Sequence, residues 1–108
     1  MRIGVMTVLY QDLPFEAMLD KVASIGVTAV EIGTGGYPGS HHCPVDELLA
    51  SESKRRAYLA AVEARGLIIS GFSCHYEPLS PDPVLAAESD RIFRKSVRLA
   101  GMMGVPVV

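Results

Sequence analysis

The chain has 108 residues, of which 49% are hydrophobic; this fits one domain spanning residues 1–108 and excludes two. Its formal net charge of −2 comes without any long run of Lys or Arg, so the composition indicates neither a nucleic acid nor an anionic membrane as partner. Two cysteines are too few for a disulfide scaffold, and no signal peptide or membrane-spanning stretch is recognisable. We therefore expect a protein of the reducing cytoplasm.

Four short β-rich runs alternate with three helical segments along the chain. The runs are largely apolar, as is typical of parallel strands covered on both faces. They are Arg2–Thr7, Val27–Ile32, Leu67–Ser73 and Val105–Val108. Glycines at positions 26, 66 and 104 end the helical segments, and their spacings of 40 and 38 residues each fit one strand and one helix. The predicted order is therefore β-α-β-α-β-α-β.

Each helical segment has a recognisable start and an apolar face. The first begins at Pro14, and the second runs from about Pro44 to Arg65. The third begins with Asp82 as N-cap and Pro83 at the first helical position. The residues expected to face the core are, in chain order, Phe15, Met18, Leu19, Val22 and Ala23; Leu48, Leu49, Tyr58, Ala61 and Val62; and Ile92, Phe93, Val97 and Ala100.

Two parallel architectures share this order of elements, an open doubly wound sheet and a closed barrel. The apolar run Val105–Val108 favours the barrel, because an intact small domain rarely ends on a strand whose edge and face are uncovered. We predict an α/β fold that is the first half of a TIM barrel. Its open side would expose more apolar surface than a monomer tolerates. We therefore expect either that the chain is a fragment or that it dimerises through this edge.

In a β/α barrel the active site lies in the loops that follow the strands. His75 follows the third predicted strand and is the sharpest candidate for substrate binding, because an imidazole there can hydrogen-bond a substrate hydroxyl or move a proton near neutral pH. A structural histidine is the alternative. Tyr10, after the first strand, can line a substrate pocket but serves equally well as a packing residue.

The second loop begins with the glycine-rich stretch Gly33–Gly39 and continues into His41, His42 and Cys43. Strand, glycines and helix come in the order of a phosphate-binding loop. However, Pro38 removes an N–H donor and the helix starts several residues later, so we favour a flexible loop of glycine turns, with a sugar-phosphate contact as the alternative. Adjacent side chains seldom converge on one metal ion. We therefore predict no metal site here and keep His42 alone as a substrate-binding candidate.

Glu31 interrupts an otherwise apolar strand. Burying a carboxylate without a partner is costly, so this side chain either faces a polar barrel interior or pairs with a cation from another strand. In the first case it is a substrate-binding candidate. We favour the structural pairing.

Several short motifs occur in a fixed order along the whole chain. They are Thr28–Ile32; Gly35–Gly39 followed by His42 and Cys43; Ser73–His75 followed by Pro78, Leu79 and Pro81; Phe93 and Arg94; and Leu99 and Ala100 followed by Gly104–Val108. In this order and spacing they resemble the N-terminal part of the sugar phosphate isomerase/epimerase family, the xylose isomerase-like TIM barrels.

The resemblance implies a barrel about twice as long or more, and a divalent metal ion that organises a sugar or sugar phosphate. It also implies proton transfer between carbons next to a carbonyl group, as in isomerisation or epimerisation. The family's metal-binding Glu, Asp and His residues lie mainly on later strands, so we expect no metal ligand and no activity from this chain alone. Of the family's positions only His75 is carried over, at the substrate mouth.

Two residues depart from the family's pattern. Relatives often have Asn and His near the Pro-Leu pair, where this chain has Glu77 and Ser80, and this puts substrate choice in doubt.

Two other interpretations stay open beside the enzyme. One is a non-catalytic α/β module that binds a ligand or partner through the second and third loops; the other is a half-barrel that pairs with a second copy as a homo-oligomer.

Overall fold

The computed structural model describes all of residues 1–108 and contains a three-stranded parallel sheet in the order β1-β2-β3. The elements in chain order are β1 (Gly4–Met6), a 3-10 turn (Thr7–Tyr10), α1 (Phe15–Ser24), β2 (Ala29–Gly36), α2 (Val45–Ala50), α3 (Glu52–Glu63), β3 (Ile68–His75) and α4 (Pro83–Met103). The predicted α/β class with parallel β/α units is confirmed. No helix is both long enough and apolar enough to span a membrane.

The ends of α4 are built from the residues that the sequence indicates. The Asp82 carboxylate accepts hydrogen bonds from the N–H groups of Val84 and Leu85 at 2.9 and 3.4 Å, and Pro83 occupies the first turn, where its missing N–H costs nothing. Gly104 follows the helix with a φ of 68°, a left-handed conformation that glycine adopts readily. Both predicted ends of this helix are confirmed.

The predicted second helix is in fact two helices, α2 and α3, that meet at Ser51. This residue has an extended backbone, with φ and ψ of −134° and 115°, and its hydroxyl accepts a hydrogen bond from Lys54 N at 3.3 Å. A serine that bonds the backbone N–H three residues later starts a new helix. The single helix from Pro44 to Arg65 was therefore wrong, although both of its approximate limits hold.

The strand β2 reaches Gly36, four residues beyond its predicted end at Ile32. The added residues include glycines that the backbone of other segments approaches closely. A Cβ atom on Gly33 would lie 2.6 Å from the carbonyl oxygen of Gly39. One on Gly36 would lie 1.8 Å from the carbonyl oxygen of His75. These glycines extend the strand because they lack side chains, and the prediction that they form loop turns was wrong.

The core lies between the sheet and the helices and consists of 16 buried hydrophobic residues. Met18, Leu19 and Val22 of α1 are fully buried, as predicted from their spacing. Phe15 stacks on Tyr58 of α3 with ring centroids 4.2 Å apart, so α1 and α3 are packed against each other.

The buried face of α4 differs from the predicted one. Phe93 and Val97 are each 46% exposed, whereas Ser89 and Ser96 are fully buried on the face that also carries Leu99. Each serine hydroxyl donates to the carbonyl of the residue four positions earlier, at 2.7 and 3.2 Å, so it can be buried at little cost. The spacing of apolar residues alone could not reveal a buried face that includes hydrogen-bonded serines.

The segment Val105–Val108 is not a strand, contrary to the prediction. It runs beside β3, and Phe72 N donates to Val107 O at 2.9 Å. Pro106 has no N–H group to donate to a strand ladder. Val107 and Val108 remain 59% and 37% exposed.

Candidate functional site

An open groove of about 350 Å³ runs along β3 toward the carboxyl ends of the strands. Its polar wall is formed by side chains of β2 and β3, and its apolar wall by α4 and the last residues of the chain. The groove residues are Glu31, Ser70, Gly71, Phe72, Ser73, Cys74, His75, Phe93, Val107 and Val108. In an α/β sheet this end of the strands is where ligands bind.

His75 is the last residue of β3 and is exposed at the groove. Its backbone carbonyl accepts a hydrogen bond from Tyr37 N at 3.2 Å, which ties the ends of β2 and β3 together. The imidazole ring makes no hydrogen bond within the chain and is therefore available to a ligand. The structure thus places His75 where the sequence predicts it.

Glu31 lies on β2 opposite Gly71 and is also exposed at the groove. None of the chain's ion pairs involves Glu31. The pairing with a cation of another strand, favoured from the sequence, is not formed within residues 1–108 and stays a prediction. Glu31 lies between Met6 of β1 and Gly71 of β3, and because its side chain is exposed, solvent satisfies the carboxylate without a protein partner. Glu31 and His75 thus share one groove.

His42 is placed differently, because it is only 3% exposed. Its Nε2 lies 2.9 Å from the carbonyl oxygen of Leu13; since a carbonyl only accepts, this nitrogen carries the proton and donates. The backbone carbonyl of His42 in turn accepts from the Tyr58 hydroxyl at 2.9 Å. The side chain therefore anchors one loop to another. It is not among the groove residues.

Tyr10 is half-buried, packs against the core and is not among the groove residues either. The structure therefore places Glu31 and His75 along one groove, with Glu31 level with Gly71 and His75 four residues further along β3, and leaves Tyr10 and His42 outside. Substrate contacts of these four residues stay predictions.

Cys43 is buried beside Tyr58, and burial raises the pKa of its thiol to about 12, although the Tyr58 hydroxyl opposes the shift. Burial likewise raises the pKa of Tyr58. Both groups therefore stay protonated at neutral pH. Because a thiol binds a metal as thiolate, Cys43 is poorly suited as a ligand. The chain holds no group of three or more His, Cys, Asp or Glu side chains that could bind a metal ion. Its residues do not by themselves fit the metal that the resemblance implies.

Ser89 is a positioning residue that the sequence did not reveal. Its hydroxyl accepts from Glu77 N at 3.2 Å and donates to Leu85 O at 2.7 Å, so it ties the loop after His75 to α4. The only indication in the sequence was that Ser89 lies in the predicted third helix at a position not assigned to its core-facing side. Ser73 Oγ is buried beneath the groove without a hydrogen-bond partner.

No family model matches the chain. It is 35% identical, over all 108 residues, to the uncharacterized protein YfiH of Bacillus subtilis (strain 168), of which it covers 34%. Its structure is similar to a crystal structure of D-psicose 3-epimerase in the presence of D-fructose, with a TM-score of 0.64 and 15% identity. That similarity covers 99% of this chain and 36% of the epimerase.

Two further solved structures give the same result. The D-psicose 3-epimerase of Clostridium cellulolyticum H10 with D-tagatose has a TM-score of 0.64 at 16% identity, over 99% of this chain and 36% of that one. A xylose isomerase domain protein of Alicyclobacillus acidocaldarius has a TM-score of 0.61 at 17% identity, over 98% and 35%. The fold is that of part of a xylose isomerase-like β/α barrel. The chain spans about a third of the length of the proteins it matches.

Proposed function

We propose that the chain supplies part of the substrate site of an isomerase or epimerase that acts on a sugar or sugar phosphate. The observation that carries this proposal is the shared groove of Glu31 and His75, two exposed polar side chains without an ion-pair partner in the chain; His75 ends β3, and Glu31 lies in the first half of β2. The barrel fold supports it, because solved structures with this fold include an epimerase crystallised with D-fructose and another with D-tagatose.

The two side chains have complementary chemistry toward a sugar. The Glu31 carboxylate accepts hydrogen bonds from hydroxyl groups, whereas the His75 imidazole can both donate and accept. Epimerisation and isomerisation next to a carbonyl group require a proton to leave one carbon atom and a proton to be added to a carbon atom. We assign His75 to hydroxyl binding and assign no residue of this chain as the catalytic base.

The divalent metal implied by the resemblance would need ligands from outside this chain, because no suitable group of side chains exists within it. We therefore expect residues 1–108 alone to bind sugars weakly and to turn none over. Stoichiometric, tight binding of Mn²⁺ by these residues in calorimetry would contradict this part of the proposal.

Sugar binding is tested by nuclear magnetic resonance titration of the protein with D-fructose, D-tagatose and a ketose phosphate. The amide signals of β2 and β3 near Glu31 and His75 should shift in a saturable way. His75→Ala should weaken binding roughly three- to tenfold, the loss expected for one hydrogen bond. The matched control is His41→Ala, which changes an exposed histidine that is not among the groove residues. Equal affinity in both variants, or no saturable shift with any sugar, would refute the proposal.

The reaction class is tested with a chimera in which this chain replaces the matching third of YfiH. In D₂O with Mn²⁺, we expect deuterium to enter the ketose at a carbon next to the carbonyl group, and His75→Ala to slow this exchange. A chimera that folds, binds a ketose and leaves its carbon-bound hydrogens unexchanged would argue for a binding module instead of an enzyme.

A further inference from the structure

A second cavity, of about 340 Å³, lies between α2, α4 and the ends of β2 and β3. We call it the α2–α4 pocket. Its wall residues are Thr34, Gly35, Ser40, Pro44, Val45, Asp46, Glu47, Tyr76, Arg91, Ile92 and Lys95. All of them belong to this chain and to two consecutive β/α units, so the pocket has both of its helical walls. The groove of Glu31 and His75 shares none of these residues.

The two helical walls of the pocket carry opposite charges. α2 contributes the carboxylates of Asp46 and Glu47, and α4 contributes the cations of Arg91 and Lys95. The Lys95 ammonium donates to the Asp46 carboxylate at 2.6 Å and joins the walls at one point. That hydrogen bond lowers the pKa of Asp46, so its carboxylate is charged at neutral pH.

Two of these charges are paired with residues outside the pocket. Glu88 receives two hydrogen bonds from Arg91, at 2.8 and 2.6 Å, and Lys54 donates to Glu47 at 2.6 Å. Neither Glu88 nor Lys54 is among the wall residues. Arg91 and Glu47 therefore each have a partner outside the pocket, whereas Lys95 and Asp46 pair with each other across it. The Lys95–Asp46 pair is the one that a ligand between the walls would replace.

The floor between these walls is polar but uncharged. Thr34, Ser40 and Tyr76 line it, with the Thr34 hydroxyl donating to Ser73 O at 3.4 Å, and a Cβ atom on Gly35 would lie 2.7 Å from Ile92 Cγ2 and 3.1 Å from Tyr76 Cε2. The floor is thus closely packed, and the volume lies at the lower end of the range for small-molecule pockets.

These observations define the kind of ligand that fits. The two acidic and two basic wall residues sum to zero formal charge, so a ligand with a single charge compensates one wall and opposes the other. We propose that the α2–α4 pocket binds a small zwitterion, with its ammonium group toward Asp46 and Glu47 and its carboxylate toward Arg91 and Lys95. The Lys95–Asp46 ion pair must open for this ligand; with the two side chains 34% and 78% exposed, solvent screens the pair and the ligand's own charges replace it.

The proposal is tested with ω-amino acids of increasing length, namely glycine, β-alanine, 4-aminobutyrate and 6-aminohexanoate, and with propylamine and butyrate as ligands of one charge. The readout is the shift of the Thr34 and Tyr76 amide signals of the full chain. We expect one length to bind best, because only one spacing of the two charges matches the walls. Propylamine and butyrate should bind at least tenfold more weakly.

The variant that tests the walls combines Asp46→Asn with Lys95→Met, which removes both members of the pair and leaves no unpaired charge. Binding of the preferred amino acid should weaken at least tenfold. The matched control combines Asp90→Asn with Arg94→Met, because this pair, 2.7 Å apart on α4, is exposed and outside the pocket. The proposal is overturned if no amino acid saturates the signals, if propylamine or butyrate binds equally well, or if the control variant loses binding to the same extent.

Discussion

The loop from β2 to α2 and the loop from β3 to α4 leave the same edge of the sheet, yet they are held in different ways. In the first loop Pro38, His42 and Cys43 are buried. In the second loop every residue from Tyr76 to Asp82 is half-buried or exposed. The first loop therefore inserts three residues into the interior, whereas the second lies on the surface next to His75.

The difference comes from the partners of each loop. The first is fixed through distant elements, since His42 donates to Leu13 O and Tyr58 donates to His42 O. The second is tied to α4 by one hydrogen bond between Glu77 N and Ser89 Oγ. Binding residues commonly lie in the less firmly held segments of a fold. This comparison favours the loop after β3, next to His75, as the place where a substrate is contacted.

The largest expected effect concerns Gly36, where the two loops come together. Its φ is +72°, and a Cβ atom would lie 1.8 Å from the carbonyl oxygen of His75. Gly36→Ala should lower the free energy of unfolding by about 3 kcal/mol or more, because backbone strain and steric overlap add. Gly39→Ala is the matched control: its φ is +65° with nothing within 4 Å, so only strain of about 1 kcal/mol applies. Urea denaturation measures both, and equal losses would contradict the close approach.

The second prediction tests the burial of the first loop through pH. The pKa of Cys43 rises from 9.0 to about 12 on folding, so the folded state retains its proton at a pH where the unfolded chain loses it. Stability from this group is therefore complete below pH 9 and declines as the pH rises toward 12. Between about pH 8 and pH 10 the ionisation of Cys43 alone should lower the free energy of unfolding by about 1.4 kcal/mol.

Urea denaturation at the two pH values provides the measurement. Cys43→Ala should remove most of the fall, whatever its effect on stability at pH 8. Cys74→Ala, which changes the half-buried cysteine of β3, should retain it. A fall of the same size in both variants would show that other groups cause the alkaline loss.

Much of the fold could be predicted because its signals are local. The N-cap at Asp82, the left-handed Gly104 and the parallel β/α order each depend on a few neighbouring residues. The errors occurred where contacts between residues distant in sequence determine the limits of an element. Gly33 extends β2 because the backbone of Gly39 packs against it, and no property of the strand itself indicates that contact.

The candidate site shows the same division. The position of His75 follows from the rule that loops after strands form the site, and the structure places it there. The sequence ranked His75 first but kept His42 as a second candidate, because both residues follow a strand. Only the tertiary structure shows that the His42 ring reaches Leu13 O, 29 positions away in the chain, and is buried. The α2–α4 pocket was likewise invisible, since its charges come from helices that are distant in sequence.

The smallest expected effect concerns the one hydrogen bond that holds the second loop to α4. Ser89→Ala removes the acceptor of Glu77 N, but water can replace it because Glu77 is exposed. The free energy of unfolding should fall by only about 0.5–1 kcal/mol. Hydrogen exchange of the Glu77 amide should nevertheless accelerate severalfold, because the loop then opens more often. Ser96→Ala is the matched control, since Ser96 is equally buried but bonds only Ile92 O within its own helix. Unchanged exchange at Glu77 in Ser89→Ala, or equal acceleration in Ser96→Ala, would show that something other than Ser89 holds this loop.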